Sequence, residues 1–199
     1  MLGSAGRLSL EADMSIRKLV LCAVFAALTC VLAPISFVVG TAVPVTLATF
    51  AVMLSGVLLG GRYGAAAQLI YLLLGAAGLP VCAGWTPALS RIVGPTGGYL
   101  VGYIPLAFIC GAVYSMWGRG SRGVKKYAVM TAGMLAGTVV LYSFGTAWYC
   151  IYSGVGVAKA LAVCVAPFLI GDAVKMTAVA LLAPRLERAL DKIPGKRVK

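Results

Sequence analysis

The stretch Pro167–Pro184, "PFLIGDAVKMTAVALLAP", reads as one apolar helix, yet near its middle stand Asp172 and Lys175. Asp172 is the only carboxylate between Met14 and Leu186. A charged side chain near the centre of a membrane helix costs roughly 2.5 to 3.5 kcal/mol on insertion scales, so two are tolerated only when they face a bundle interior and find partners. Three residues apart on a helix, the two share a face. One reading is a mutually neutralised pair that simply packs. The other is a ligand or ion site, because apolar isosteres would cost less and intramembrane ionisable groups mark substrate paths. A carboxylate beside an ammonium suits a ligand with paired N–H groups and a carbonyl, or a zwitterion.

The rest of the chain supplies the membrane setting. Of 199 residues, 61% are hydrophobic, and the mean hydropathy is +1.00, more apolar than a water-soluble surface can cover. Cutting at glycine, proline and basic punctuation predicts six spans: Leu19–Val39, Pro44–Gly60, Gly64–Leu79, Tyr99–Trp117, Tyr127–Tyr149 and Val157–Ala183. The fold class expected is therefore an all-α integral membrane protein with six transmembrane helices. The second and third spans sit at the lower limit for crossing about 30 Å of hydrocarbon at about 1.5 Å per residue. Residues 1–13, "MLGSAGRLSLEAD", show no structural pattern and are read as a disordered N-terminal extension or a cloning remnant; 14–190 form the membrane domain and 191–199 a basic cytoplasmic tail.

The formal net charge is +12. The basic residues sit at span ends rather than on one face, which excludes nucleic acid as the natural partner and points to membrane topology. With both termini inside, the inner segments hold Arg7, Arg17, Lys18, Arg62, Arg119, Arg122, Lys125, Lys126 and the six basic residues from Arg185 to Lys199, fourteen in all; the outer loops hold Arg91 and Lys159. Fourteen against two predicts an N-in, C-in bundle. Trp85, Trp117 and Trp148 fall at or beyond span ends, as an aromatic belt requires.

Several chemistries drop out. There is no histidine, which removes histidine bases and histidine-held metals; no cofactor is expected. No GxxxxGKS or GxxxxGKT loop occurs, so an uphill transporter would draw its energy from a partner. The six cysteines show no CxxC, and buried free thiols are expected; Cys82 and Cys150 fall near outer loops, where a bridge is conceivable. Ala23, Ala26 and Ala27 in "CAVFAAL" give an AxxxA spacing, a smooth surface either for packing inside the bundle or for an outside helix. The connection "PVCAGWTPALSRIVGPTGG", Pro80–Gly98, is apolar for a loop and suits a lid lying on the bundle as well as an interfacial loop.

Four segments together resemble the BioY family, the biotin-specific substrate-capture (S) components of energy-coupling factor (ECF) transporters. They are "VPVTLATFAVMLSGVLLG" (Val43–Gly60), "YLLLGAAGLPV" (Tyr71–Val81), "GPTGGYLVGY" (Gly94–Tyr103) and "APFLIGDAVK" (Ala166–Lys175). The resemblance implies a high-affinity biotin-binding subunit in a prokaryotic cytoplasmic membrane that catalyses no covalent reaction. It implies that Asp172 and Lys175 contact the ureido end of biotin, and that the loops after the first and third helices line or close the pocket. It brings Tyr99, Arg91 and Trp85 in as further candidate contacts. Ala23 and Ala27 become candidate docking residues for the transmembrane coupling (T) subunit, with paired ATPase subunits supplying the work. Two departures stand out: Ala48 occupies a position where the family commonly has glutamine, and Ser90 and Arg91 lie in a stretch usually rich in small residues. The second would bring a cation near the biotin carboxylate. Rival readings are an S component for another vitamin, an integral-membrane enzyme and a small secondary transporter; the last two lack the convergent catalytic groups and the coupling-ion site they need.

Overall fold

The computed structural model describes residues 4–37 and 44–192. The chain is a helical bundle with one short hairpin. In order run α1 (Ser4–Leu32), β1 (Ser36–Phe37), β2 (Val45–Thr46), α2 (Ala48–Leu59), α3 (Gly61–Ala76), α4 (Ala88–Ile92), α5 (Gly97–Val113), a π-helical turn (Tyr114–Gly118), α6 (Val124–Ser153), α7 (Val157–Cys164) and α8 (Phe168–Lys192). The strands pair antiparallel, Ser36 opposite Thr46 and Phe37 opposite Val45.

Helix α2 lies at the centre. All of its residues except Phe50 are buried, which suits a helix that is apolar on every side. It ends at Gly60, whose φ of 86° lies in the left-handed region that glycine tolerates without strain. The packing of α2, α3 and α5 depends on small residues. A Cβ on Gly56 would meet the Ala107 carbonyl oxygen at 2.4 Å, and one on Gly111 would meet the Gly56 oxygen at 2.4 Å. Close backbone approach of this kind is how helices associate where lipid gives no hydrophobic drive. The outward surface is aliphatic: Ile170 is 79% exposed and Val174 65%, while Asp172 and Lys175 on the opposite side of α8 are 4% and 7% exposed.

Among the described residues, two helical stretches, Gly97–Gly118 and Val124–Ser153, are long and apolar enough to cross a membrane, and a third is added if α7 and α8 count as one bent span. That bend is 50°, so the sixth predicted span is two helices rather than one; Pro167, which has no amide hydrogen to donate, sits in the break. Helix α8 then continues past the predicted end at Ala183 to Lys192, with Pro184 inside it. Helix α1 begins at Ser4 rather than Leu19, so the backbone of residues 4–13 is helical where the pattern gave no structure. Hydropathy marks where a helix becomes apolar, not where it starts. The end of the first predicted span at Val39, and residues 193–199 of the basic tail, lie outside the described residues.

Candidate functional site

The buried ion pair is set by three helices. Lys175 Nζ donates to Asp172 Oδ1 at 3.0 Å and to Thr49 Oγ1 at 2.9 Å. The Thr49 hydroxyl, from the first turn of α2, donates to Asp172 Oδ1 at 3.3 Å. From α6, the Tyr142 hydroxyl donates to Asp172 Oδ2 at 2.5 Å. The carboxylate thus accepts from α2, α6 and its own helix, which is how a buried charge is tolerated. An ammonium has three donors and a carboxylate about four acceptor positions. These contacts use two of the donors and three of the acceptor positions, leaving one of each beside the other.

The pair borders a cavity at the end of the bundle that carries the hairpin and the Pro80–Gly98 segment. It encloses about 600 Å³ not filled by protein atoms, open mouth included. Its walls are aromatic. Tyr99 stacks on Phe168 with ring centroids 6.5 Å apart, and Tyr71 tilts against Tyr103 at 6.3 Å. Tyr99 is fixed by its hydroxyl, which donates to the Cys164 carbonyl at 2.9 Å, and it lies where Gly145 leaves room: a Cβ there would fall 2.2 Å from the ring.

Both connecting segments contribute lining, Thr46 and Pro44 from the hairpin, Cys82, Ala83, Arg91 and Thr96 from Pro80–Gly98. The latter lies on the bundle. Cys82, Ala83 and Ala88 are buried, and the Gly84 amide donates to the Pro34 carbonyl at 3.4 Å. Arg91 is held by Nε on Thr86 Oγ1 at 2.9 Å and by Nη2 on the Ala83 carbonyl at 2.9 Å. No carboxylate pairs with it among the described residues. Asp172 and Lys175 cancel, so Arg91 gives the cavity one net positive charge.

Of the predicted contacts, Asp172, Lys175, Tyr99 and Arg91 come together around this cavity. Trp85 does not: it occupies the tight turn between Cys82 and Thr86 with φ of 59°, is 67% exposed, and is not among the lining residues. All six cysteines are free. Cys82 meets the Tyr71 hydroxyl at 3.4 Å rather than Cys150; burial pushes its thiol pKa up, against the smaller opposing effects of Tyr71 and Arg91. Ala48 is fully buried and offers no polar side chain, and its neighbour Thr49 supplies the contact. Sequence reasoning missed Thr49 and Tyr142. The available signal for Tyr142 was a tyrosine in mid-helix, far from either aromatic belt.

A bundle with an aliphatic exterior holds at one end an aromatic-walled cavity with a buried ion pair at its side, an arrangement that suits a membrane protein with a small, polar-headed ligand. The chain belongs to the BioY family, whose family model matches residues 7–192. It is 39% identical over 174 residues to the probable biotin transporter BioY of Pyrococcus horikoshii, covering 87% of this chain and 98% of that one. It is 42% identical to the biotin transporter BioY of Rhizobium etli, with 85% and 92% covered, and 38% identical to that of Thermotoga maritima, with 86% and 96% covered. The fold is similar to the crystal structure of the S-component for biotin from an ECF-type ABC transporter, at a TM-score of 0.80 and 23% identity over 88% of this chain and 93% of the other.

Proposed function

We propose that this protein is the biotin-capturing S component of an ATP-driven ECF-type transporter, spanning a prokaryotic cytoplasmic membrane six times with both termini inside. The observation that carries the reading is the polarity of the cavity wall. It carries a donor and an acceptor side by side at Lys175 and Asp172, and also Arg91, a cation with no carboxylate partner among the described residues. Biotin matches both, with a ureido ring that presents N–H donors and a carbonyl and a chain that ends in a carboxylate. Between them the aromatic walls suit the bicycle and the aliphatic chain. Membership of a family whose relatives are named biotin transporters supports the same substrate.

The chain performs capture, not chemistry. Ala23 and Ala27 are exposed on α1 whereas Ala26, between them, is 1% exposed. That supports a smooth outer strip for docking the T subunit, with partner ATPases driving release inside. Isothermal titration of the purified protein tests the reading. Saturable heat is expected with biotin and none with thiamine, whose fixed positive charge meets Arg91; heat with thiamine alone would reverse the assignment.

A further inference from the structure

At the opposite end of the bundle from the ligand cavity lies a second, larger one of about 1650 Å³, open mouth likewise included. Four basic side chains border it, Lys18, Arg119, Lys126 and Arg188, against two acidic ones, Glu187 and Asp191. Glu187 is already engaged: it accepts from Lys126 Nζ at 2.7 Å and from the Tyr114 hydroxyl at 3.0 Å, with Arg119 Nε at 3.6 Å. Arg119 also donates to the carbonyl of Leu58 at 2.8 Å. Lys18 lies 5.1 Å over the Tyr63 ring, and neither Lys18 nor Arg188 pairs with a carboxylate among the described residues. Against these two, Asp191 leaves the rim net positive. Leu21, Leu58, Leu59 and Leu190 give the rest of the wall an aliphatic lining, with Ser115 and Gly120 beside them.

Depth decides what such a pocket meets. Trp117, 61% exposed beside it, is a side chain expected at a membrane–water interface. Leu19, Val20 and Val24 then run outward along α1 toward the hydrocarbon. We infer that this pocket binds the phosphodiester headgroup of an anionic glycerophospholipid, with Lys18 and Arg188 on the phosphate and an acyl chain along the leucines. Charge complementarity argues for the occupant, since basic pockets between membrane helices take anionic headgroups. The inference requires the chain to lie in a membrane, and not that its ligand be biotin.

Native mass spectrometry of the purified full chain, titrated with phosphatidylglycerol, is the test. One basic side chain near an anionic headgroup contributes about fivefold in affinity. Lys18→Gln with Arg188→Gln should therefore weaken phosphatidylglycerol binding ~10- to 30-fold. Arg122→Gln with Lys125→Gln removes the same charge from exposed sites outside the pocket and should leave binding within about twofold. Retained helical circular dichroism shows that each variant is folded, and either single variant, Lys18→Gln or Arg188→Gln, should weaken binding about fivefold by itself. Equal weakening by the two double variants, or equal binding of phosphatidylcholine, would overturn the site. Competition by inorganic phosphate alone at the lipid's own concentration would make it a free-phosphate site and overturn the lipid assignment.

Discussion

The two ends of the bundle carry the same arrangement at different depths. At one, Asp172 accepts from a lysine, a tyrosine and a threonine; at the other, Glu187 accepts from a lysine and a tyrosine, with an arginine beside it. The side chains of Asp172 and Lys175 are 6% and 8% exposed, whereas those of Glu187, Lys126 and Arg119 are about a fifth exposed, at 19%, 21% and 22%. Burial, more than partner chemistry, sets what each is worth. A wet ion pair contributes about 0 to 1 kcal/mol, whereas stripping one partner from a buried pair costs about 3 to 5 kcal/mol because the other charge is stranded. The Glu187 cluster fastens helix ends. The Asp172–Lys175 pair lies buried beside an open cavity, where a ligand can use it.

The sharpest way to break that contrast is Asp172→Asn. It strands the Lys175 ammonium and should lower stability by about 3 to 5 kcal/mol in denaturant or thermal unfolding. Glu187→Gln should lower it by at most about 1 kcal/mol. Similar losses from the two would make burial irrelevant and the contrast empty.

Tyr142→Phe comes next. It removes one hydrogen bond to a buried carboxylate while keeping the ring, so about 1.5 to 3 kcal/mol of support for Asp172 is lost. Biotin affinity should fall roughly ten- to a hundredfold in titration calorimetry. An unchanged affinity would show that Tyr142 merely packs. Arg91→Gln should have a smaller effect, about tenfold, confined to ligands with a carboxylate. Biotin should weaken and biotin amide should not, because the amide presents no charge to the missing guanidinium. If both weakened alike, Arg91 would be acting through the Pro80–Gly98 segment rather than on the ligand.

The pair itself was legible in sequence because charge in an apolar run is expensive and therefore informative. Thr49 and Tyr142 were not. Threonine and tyrosine are unremarkable in helices, and what joins these two to the pair is contact with Asp172, 123 and 30 positions away. Arg91 was legible as an odd cation in a predicted outer loop, but that no carboxylate pairs with it among the described residues is a tertiary fact. Tryptophan suits a pocket and a membrane belt equally, and only the fold shows that Trp85 lies exposed in the turn between Cys82 and Thr86, outside the cavity lining. The bundle's small-residue packing could be anticipated from composition. The break between α7 and α8 was harder to see, because an averaged apolar run hides a single Pro167.

The central claim is that Asp172 and Lys175 are kept in the bundle for the ligand and not for each other. The most direct measurement is biotin titration calorimetry of the double variant Asp172→Asn with Lys175→Met beside the unaltered protein, with unfolding followed on both. Removing both charges leaves nothing stranded, so stability should return to within about 1 kcal/mol of the original. Biotin binding should remain at least about a hundredfold weaker, as expected when two charged hydrogen bonds are lost. A double variant that is stable and binds biotin as tightly as the original would contradict the account.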